Sequence, residues 1–408
     1  MQKLFLILFL AHLLSIAILV FFLNIRGLLL GHRHHFHPRK WYLPLLTATA
    51  CGGLVSFIWQ WITLCNPSGA IKIAFWVSPL LTCAVGILFV LIGSAASLAL
   101  GVIAVVFSII QSLYACWVNP RFNYATRVLS VSTASPPKNT IVMVILSITI
   151  ATLYSCLLVS GIGGATAVGT KIDLLFISVI LISLAWSMQV LKNTLQVTVA
   201  RIRYIQFVCG AEMEVQVALR DTIKHLMGSV CIGSVIVPVI TIIRGLARSI
   251  KLIAGDTDEF LFSCANCYSD VASTLVCYGN RWGFVQVGVS SKGFVQASMD
   301  TWETIKTAGL EQLINSDLTG VFCFLCGIAG GAICTLVGGT WTLAIHKSYC
   351  TEVSIYAFLI GYFMCRIAMA WPQSCVSAYY FAYAENSENP RFDSTIPGRI
   401  QELQRYQA

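Results

Sequence analysis

The chain has 408 residues, of which 57% are hydrophobic and only 11% are charged, and its net charge is +9. A soluble domain carries about 25% charged residues, so the composition argues against a soluble protein and for apolar surface that faces lipid. Lys and Arg lie between apolar blocks rather than on one basic face, which argues against a nucleic-acid-binding protein.

A bilayer core about 30 Å thick needs roughly 20 apolar residues in a helix. Nine stretches meet that length: 4–23, 43–64, 72–92, 94–118, 141–161, 173–192, 226–243, 318–343 and 353–381. The first has no small-residue cleavage site after it and is interpreted as a membrane anchor. A tenth span is expected either around 196–210 or around 271–290. The pattern predicts an all-α, polytopic transmembrane helical bundle of about ten spans, in a single domain over 1–408.

The one long polar stretch, 244–317, contains a helical pattern. Apolar positions recur there at three- and four-residue steps, at Val295, Met299, Trp302, Ile305, Gly309 and Leu313. With charged residues between them, this spacing predicts an amphipathic helix within 291–314. We expect that helix to lie along the membrane surface or to cap the bundle from one side.

Several motifs in the second half of the chain resemble choline transporter-like proteins. The run NRWGFVQVGVSSKGFVQASMDTWETIK, 280–306, is similar to a family segment in which Asn-Arg-aromatic leads into an amphipathic helix. Residues 228–234 resemble the family's Gly-Ser-x-x-x-Gly-Ser, and 383–386 resemble the acidic exit of its last helix. A cysteine cluster of the family is matched by Cys264, Cys267 and Cys277. The short loop at 31–46 resembles the plant-type branch.

The resemblance implies a transporter for choline or a related amino-alcohol, whose partners are that small organic cation and membrane lipids. It implies ten spans, both termini in the cytosol, and a multi-pass location in the plasma membrane or an endomembrane. The alternative is a non-transporting membrane protein that regulates lipid or vesicle trafficking. No nucleotide loop, nucleophile triad or metalloprotease helix is present in the sequence, so no enzyme activity or cofactor is predicted. The His-rich loop at 31–37 is interpreted as a solvated patch rather than a metal site.

Choline carries a quaternary ammonium that donates no hydrogen bond, and proteins hold such cations against aromatic ring faces. None of the nine stretches has Asp or Glu in its interior, so a mid-membrane site must depend on rings and carbonyl ends. Trp371 is the first candidate, because the neighbouring Pro372 frees a backbone carbonyl and a kink there can open a cavity. The other candidates are Tyr379, Tyr380, Gln373 and Trp186.

Arg366 is the one charged residue that the predicted spans place near a membrane centre. A charge there costs roughly 2.5–3.5 kcal/mol, so it is a functional candidate, yet a guanidinium repels choline. Three interpretations stay open. Arg366 bonds carbonyls of a helix end freed by Pro372, holds a lipid phosphate, or faces a water-filled vestibule.

Overall fold

A computed structural model describes residues 2–30, 38–137, 139–166, 172–254, 275, 277–345 and 347–405. Within these ranges all regular secondary structure is helical, which confirms the predicted fold class. In chain order the α-helices are α1 (Gln2–Leu30), α2 (Pro38–Cys65), α3 (Pro67–Ile92), α4 (Ala95–Val118), α5 (Phe122–Thr133), α6 (Thr140–Thr166), α7 (Asp173–Cys209), α8 (Val215–Asp221), α9 (Met227–Ala254), α10 (Gly283–Ser290), α11 (Phe294–Thr307), α12 (Glu311–Asn315), α13 (Thr319–Ile345), α14 (Cys350–Ala368), α15 (Ala370–Glu385) and α16 (Thr395–Arg405).

Nine helical segments in the described part of the chain are long and apolar enough to cross a membrane. Their large apolar side chains face outward; on α4, for example, Val102, Ile109 and Leu113 are more than half exposed. Apolar side chains suit contact with lipid tails, and helices also satisfy their own backbone hydrogen bonds there. The protein is therefore a multi-pass integral membrane protein.

The predicted stretch 353–381 is not one span. The helix breaks at Met369, so that α14 ends at Ala368 and α15 begins at Ala370. Pro372 explains the break, because it has no N–H to bond the carbonyl four residues earlier and its ring crowds that turn. The expected disturbance at Pro372 is confirmed, whereas the single continuous span is wrong.

Helix α7 is longer than predicted. Its 37 residues extend over about 55 Å, well beyond the roughly 30 Å of a bilayer core. Residues 196–210, one of the two predicted positions for a tenth span, continue this helix and form no separate crossing. The other position, 271–290, is described only at 275 and 277–290. The eight-residue α10 is too short to cross a membrane alone, so the tenth span stays a prediction.

The predicted amphipathic helix is α11, and it presents a different face from the expected one. Its buried residues are Phe294, Ala297, Ser298, Thr301 and Ile305. Of the predicted apolar positions, Ile305 is buried but Met299 is 37% exposed. Small residues allow α10 and α11 to pack closely. Just before α10, the Asn280 side-chain amide donates to the Ser298 carbonyl of α11 at 3.1 Å. A location along the membrane surface stays a prediction.

The two ends of the described chain lie at the same end of the bundle. Gln2 packs against Gly228, where α9 begins. Arg391, just before α16, donates to the Val208 carbonyl at the end of α7, at 2.7 Å. The location of both termini on one side of the membrane stays a prediction. The His-rich loop at 31–37 and the cysteines at 264 and 267 lie outside the described residues.

Candidate cation site

Helix α15 is the scaffold of the candidate site. Every residue from Ala370 to Tyr383 is buried, although the helix is too short to count among the membrane-length segments. It packs against α5, α7, α10 and α11 on different sides. A helix enclosed in this way can place side chains in the protein interior all around its circumference. It carries four of the five predicted binding residues.

Tyr379 and Tyr380 belong to an aromatic cluster that the sequence only partly indicated. The Trp282 ring lies edge-on to Tyr380, with 5.7 Å between centroids. The hydroxyl oxygens of Tyr124 and Tyr380 are 2.9 Å apart, and the Tyr379 ring centroid is 6.3 Å from that of Tyr380. We call Tyr124, Trp282, Tyr379 and Tyr380 the ring cluster. Trp282 and Tyr124 were missed because they lie outside the nine predicted stretches.

Two carboxylates adjoin the ring cluster. The Asp317 side chain is only 1% exposed, and its charge acts on both Tyr124 and Tyr380. Asp393 accepts a hydrogen bond from the Tyr379 hydroxyl at 2.5 Å. The expectation that a mid-membrane site depends on rings and carbonyl ends stays a prediction, and this ring cluster has carboxylates beside it. Asp317 was missed because it lies one residue before the predicted span 318–343.

An arginine of the protein already lies against these groups. The Arg281 guanidinium is 3.1 Å from the Asp317 carboxylate and 4.7 Å from the Trp282 ring centroid. This is the arrangement in which an organic cation is held by a carboxylate and a ring face together. In this conformation Asp317 and the Trp282 ring thus already hold a cation, which is the guanidinium of Arg281.

A pocket of about 250 Å³ lies on the other side of Tyr124, between α5 and α16. Its lining is largely polar and includes Asn123, Arg127, Thr395 and Arg399. The Arg399 guanidinium lies 5.2 Å from the Tyr124 ring centroid. The Tyr124 ring therefore separates this pocket from the interior of the ring cluster, and α16 lies against it.

Trp371 and Gln373 lie apart from the ring cluster, on the first turn of α15. They are 1% and 4% exposed. The indole N–H of Trp371 and the side-chain oxygen of Gln373 are buried without a hydrogen-bond partner in the structure as described. Eight residues separate Trp371 from Tyr379, about 12 Å along the helix axis. Trp371 and Gln373 thus form a second polar site, at the beginning of α15, whereas the ring cluster lies toward its other end.

Trp186 lies near neither the ring cluster nor Trp371 and Gln373. It packs between α7 and α1, with its ring centroid 5.3 Å from Phe9 and 4.8 Å from His12. Phe9 and Trp186 belong to a separate apolar cluster that joins α1, α7, α9, α10 and α11. The structure therefore does not bring Trp186 together with the other predicted residues.

Arg366 lies in the last turn of α14, with its side chain against Gly327 of α13. Its Nη1 is buried and has no acceptor among the described residues, so neighbouring carbonyls do not satisfy that nitrogen. A second basic residue in the membrane-length helices is Lys192 of α7, which is 8% exposed. Lys192 was missed because the predicted stretch 173–192 placed it at a span end, whereas α7 continues for 17 more residues, to Cys209.

A comparison with protein families matches residues 102–388, more than half of the chain, to the family described as plasma-membrane choline transporter. Similar curated proteins include Protein PNS1 of Mycosarcoma maydis, 27% identical over 216 residues, which are 49% of this chain and 41% of that protein. Protein PNS1 of Debaryomyces hansenii is 24% identical over 239 residues, 53% of this chain and 47% of that protein. The chain spans less than half of the length of these relatives.

Proposed function

The chain belongs to the plasma-membrane choline transporter family, a family of membrane transporters, and on that premise we propose that it carries choline or a related amino-alcohol across the plasma membrane. The observation that carries the proposal is the ring cluster with Asp317 beside it. A quaternary ammonium cannot donate hydrogen bonds, so a ring face and a nearby carboxylate are the groups suited to bind it.

Trp282 and Tyr380 supply the ring faces in this proposal. Each desolvated ring contributes about 0.5–2 kcal/mol to the binding of such a cation. Asp317 supplies long-range attraction and keeps its own hydrogen bonds, because it accepts from the N–H and the hydroxyl of Thr319 at 3.1 and 2.7 Å. These two hydrogen bonds hold the carboxylate in a fixed position beside the ring cluster.

Substrate and Arg281 compete for the same place. The Arg281 side chain is 30% exposed, so it has room to leave when another cation arrives. The substrate ammonium then lies between the Trp282 ring and Asp317, and the net charge of the interior is unchanged by the exchange. Entry or exit takes place through the pocket beside Tyr124, once that ring turns away.

Trp371 and Gln373 line the continuation of the path in this proposal, at the beginning of α15. Their unpartnered polar atoms suit a passage that is hydrated in another conformation. Trp371→Ala is therefore expected to change choline affinity less than Trp282→Ala does. Lost choline binding in Trp371→Ala, with the helix content intact, would instead move the binding site to this end.

The test is uptake of radiolabelled choline by vesicles that contain the purified protein. Saturable uptake, inhibited by unlabelled choline and absent from empty vesicles, is expected. A correctly folded protein without saturable movement of choline in either direction would contradict the carrier proposal. That outcome would favour the regulator of lipid or vesicle trafficking.

A further inference from the structure

A cavity of about 300 Å³ lies between α3, α4, α13 and α14. All four helices belong to the segments that are long and apolar enough to cross a membrane. Ile103 of α4 lines the cavity and is exposed, whereas Ala332 of α13 also lines it and is buried. The cavity therefore extends from the lipid-facing surface of the protein into its interior.

The lining of the cavity suits hydrocarbon. Its side chains are apolar except for that of Thr82, and the Thr82 hydroxyl is already used. It donates to the Ser78 carbonyl at 2.8 Å and accepts from the Gln111 amide at 3.5 Å. The lining thus offers little to a charged or hydrogen-bonding solute. Apolar cavities do not hold ordered water, and an empty one loses dispersion contacts, so in a bilayer a lipid chain is the group suited to fill it.

The cavity lies at the depth of the acyl chains below one end of the bundle. Along α4 it extends from Leu100 to Phe107, about 10 Å of helix. Leu100 follows Ala95, where α4 begins, by about 7 Å along the axis. Lipid headgroups occupy about 5–7 Å on each side of the hydrocarbon core. The cavity therefore begins where an acyl chain would begin if a headgroup lay at the connection between α3 and α4.

A basic side chain lies at that connection. The Lys347 ammonium is 3.8 Å from the point where a side chain at Gly93 would begin. The hydroxyl oxygens of Ser94 and Thr351, 3.5 Å apart, join the connection to the beginning of α14. Lys347 is exposed, and no carboxylate of the described chain lies within ion-pair distance of it. Its charge is therefore available to a phosphate at the bilayer surface.

We propose that this cavity binds one acyl chain of a membrane phospholipid, and that the phosphate of the same lipid pairs with Lys347. The chain fills the space between the four helices, and the phosphate lies at the connection between α3 and α4. A sterol also has an apolar body, but it carries no charge for Lys347, so the phospholipid is favoured. The site is separate from the ring cluster and does not depend on the identity of the transported substrate.

Photo-crosslinking tests the cavity in nanodiscs that contain the purified protein and a trace of phosphatidylcholine with a diazirine on one acyl chain. Mass spectrometry of the digested protein is expected to find the strongest label in the cavity-lining parts of α3 and α4, 82–89 and 100–107. Ala104→Phe fills the cavity and should remove most of this label. Ala99→Phe changes an exposed position of the same helix outside the cavity, so it is the matched control and should keep the label.

A second probe tests the contact with Lys347. It is a diacylglycerol with the same diazirine chain and no phosphate. The wild type should be labelled about threefold more by the phospholipid, the preference expected of one solvent-exposed ion pair. Lys347→Gln should remove this preference. Lys72→Gln changes an exposed lysine near the opposite end of α3 and should retain it.

Three results would overturn the proposal. One is label spread evenly over the lipid-facing helices, which would indicate ordinary contact with bulk lipid. Another is equal labelling of the wild type and a folded Ala104→Phe variant. The third is equal labelling by the phospholipid and the diacylglycerol, and displacement of both by cholesterol would then assign the cavity to a sterol. If Ala104→Phe does not fold, the distribution of label in the wild type decides.

Discussion

The two ends of α15 differ in electrostatic character although they belong to one buried helix. Its first turn comes directly after the turn of α14 that carries Arg366, whereas its later turns carry Tyr379 and Tyr380 beside the carboxylate of Asp317. The charges at both ends come from other helices and connections. The comparison teaches that the chemistry around a buried helix is decided by its neighbours.

The largest expected effect concerns the pair of Asp317 and Arg281. Asp317→Asn leaves Arg281 without its partner against buried rings, and we expect the free energy of unfolding to fall by about 3 kcal/mol. Denaturant unfolding followed by tryptophan fluorescence measures it. Arg281→Gln added to Asp317→Asn should recover part of the loss. Strictly additive losses would mean that the pair is not coupled.

A matched control is the more exposed pair of Arg201 and Asp221, whose atoms are 3.3 Å apart. Asp221→Asn is expected to change the free energy of unfolding by less than about 1 kcal/mol, because solvent screens that pair. A loss as large as that of Asp317→Asn would remove the distinction between the ring cluster and an ordinary surface ion pair.

The next largest effect tests whether the substrate binds at the ring cluster. Trp282→Ala is expected to weaken choline binding by about 2 kcal/mol, or about 30-fold, because one desolvated ring face is lost. Trp282→Phe should retain part of the affinity. Trp302→Ala removes a comparable ring that contacts Lys306 at 5.6 Å, outside the ring cluster, and should leave choline affinity unchanged. Equal effects of both alanine variants would contradict the proposed site.

A smaller effect distinguishes the role of the Tyr380 ring from the role of its hydroxyl. Tyr380→Phe keeps the ring face and removes the hydrogen bond to Tyr124, so we expect a loss of about 1 kcal/mol in stability. Choline affinity, measured by equilibrium binding, should stay within about twofold of wild type because the ring provides the cation contact. Tyr124→Phe should give a similar stability loss, and the double variant little more. A large loss of affinity would show that the hydroxyl itself contacts the substrate.

The smallest expected effect concerns α16. Arg399→Gln removes the contact with the Tyr124 ring and an ion pair with Glu402 at 2.8 Å. Because the Glu402 side chain is 58% exposed, solvent screens the ion pair, and we expect less than about 1 kcal/mol of lost stability. Uptake of choline should become faster if the departure of α16 limits access to the pocket. Unchanged uptake would mean that α16 does not control entry.

The spans could be predicted from the sequence because membrane insertion depends on local hydropathy. Hydropathy did not predict where helices end. Helix α7 continues beyond the predicted end at Lys192, and a break at Met369 divides one apolar stretch into two helices. Hydropathy counts apolar residues, so it cannot distinguish a helix surrounded by lipid from one surrounded by protein.

The candidate site was only partly predictable for a related reason. Tyr379 and Tyr380 were found because they lie on an apolar segment, but Trp282 and Asp317 lie on connections before helices. These residues meet through contacts between distant parts of the chain, and spacing along the sequence carries no signal of such contacts. Trp186 had the same local appearance as Trp371, yet its neighbours come from α1.

The burial of α15 has a consequence for how the protein is made. Its partners α5, α7 and α10 come earlier in the chain and are synthesised before the helix that fills the space between them. Until it arrives, the inner surfaces of those helices have nothing to pack against. A chain that stops before Ala370 would contain all nine membrane-length segments of the described residues and still lack its centre. Premature termination just before Ala370 is therefore as damaging to this fold as loss of a span.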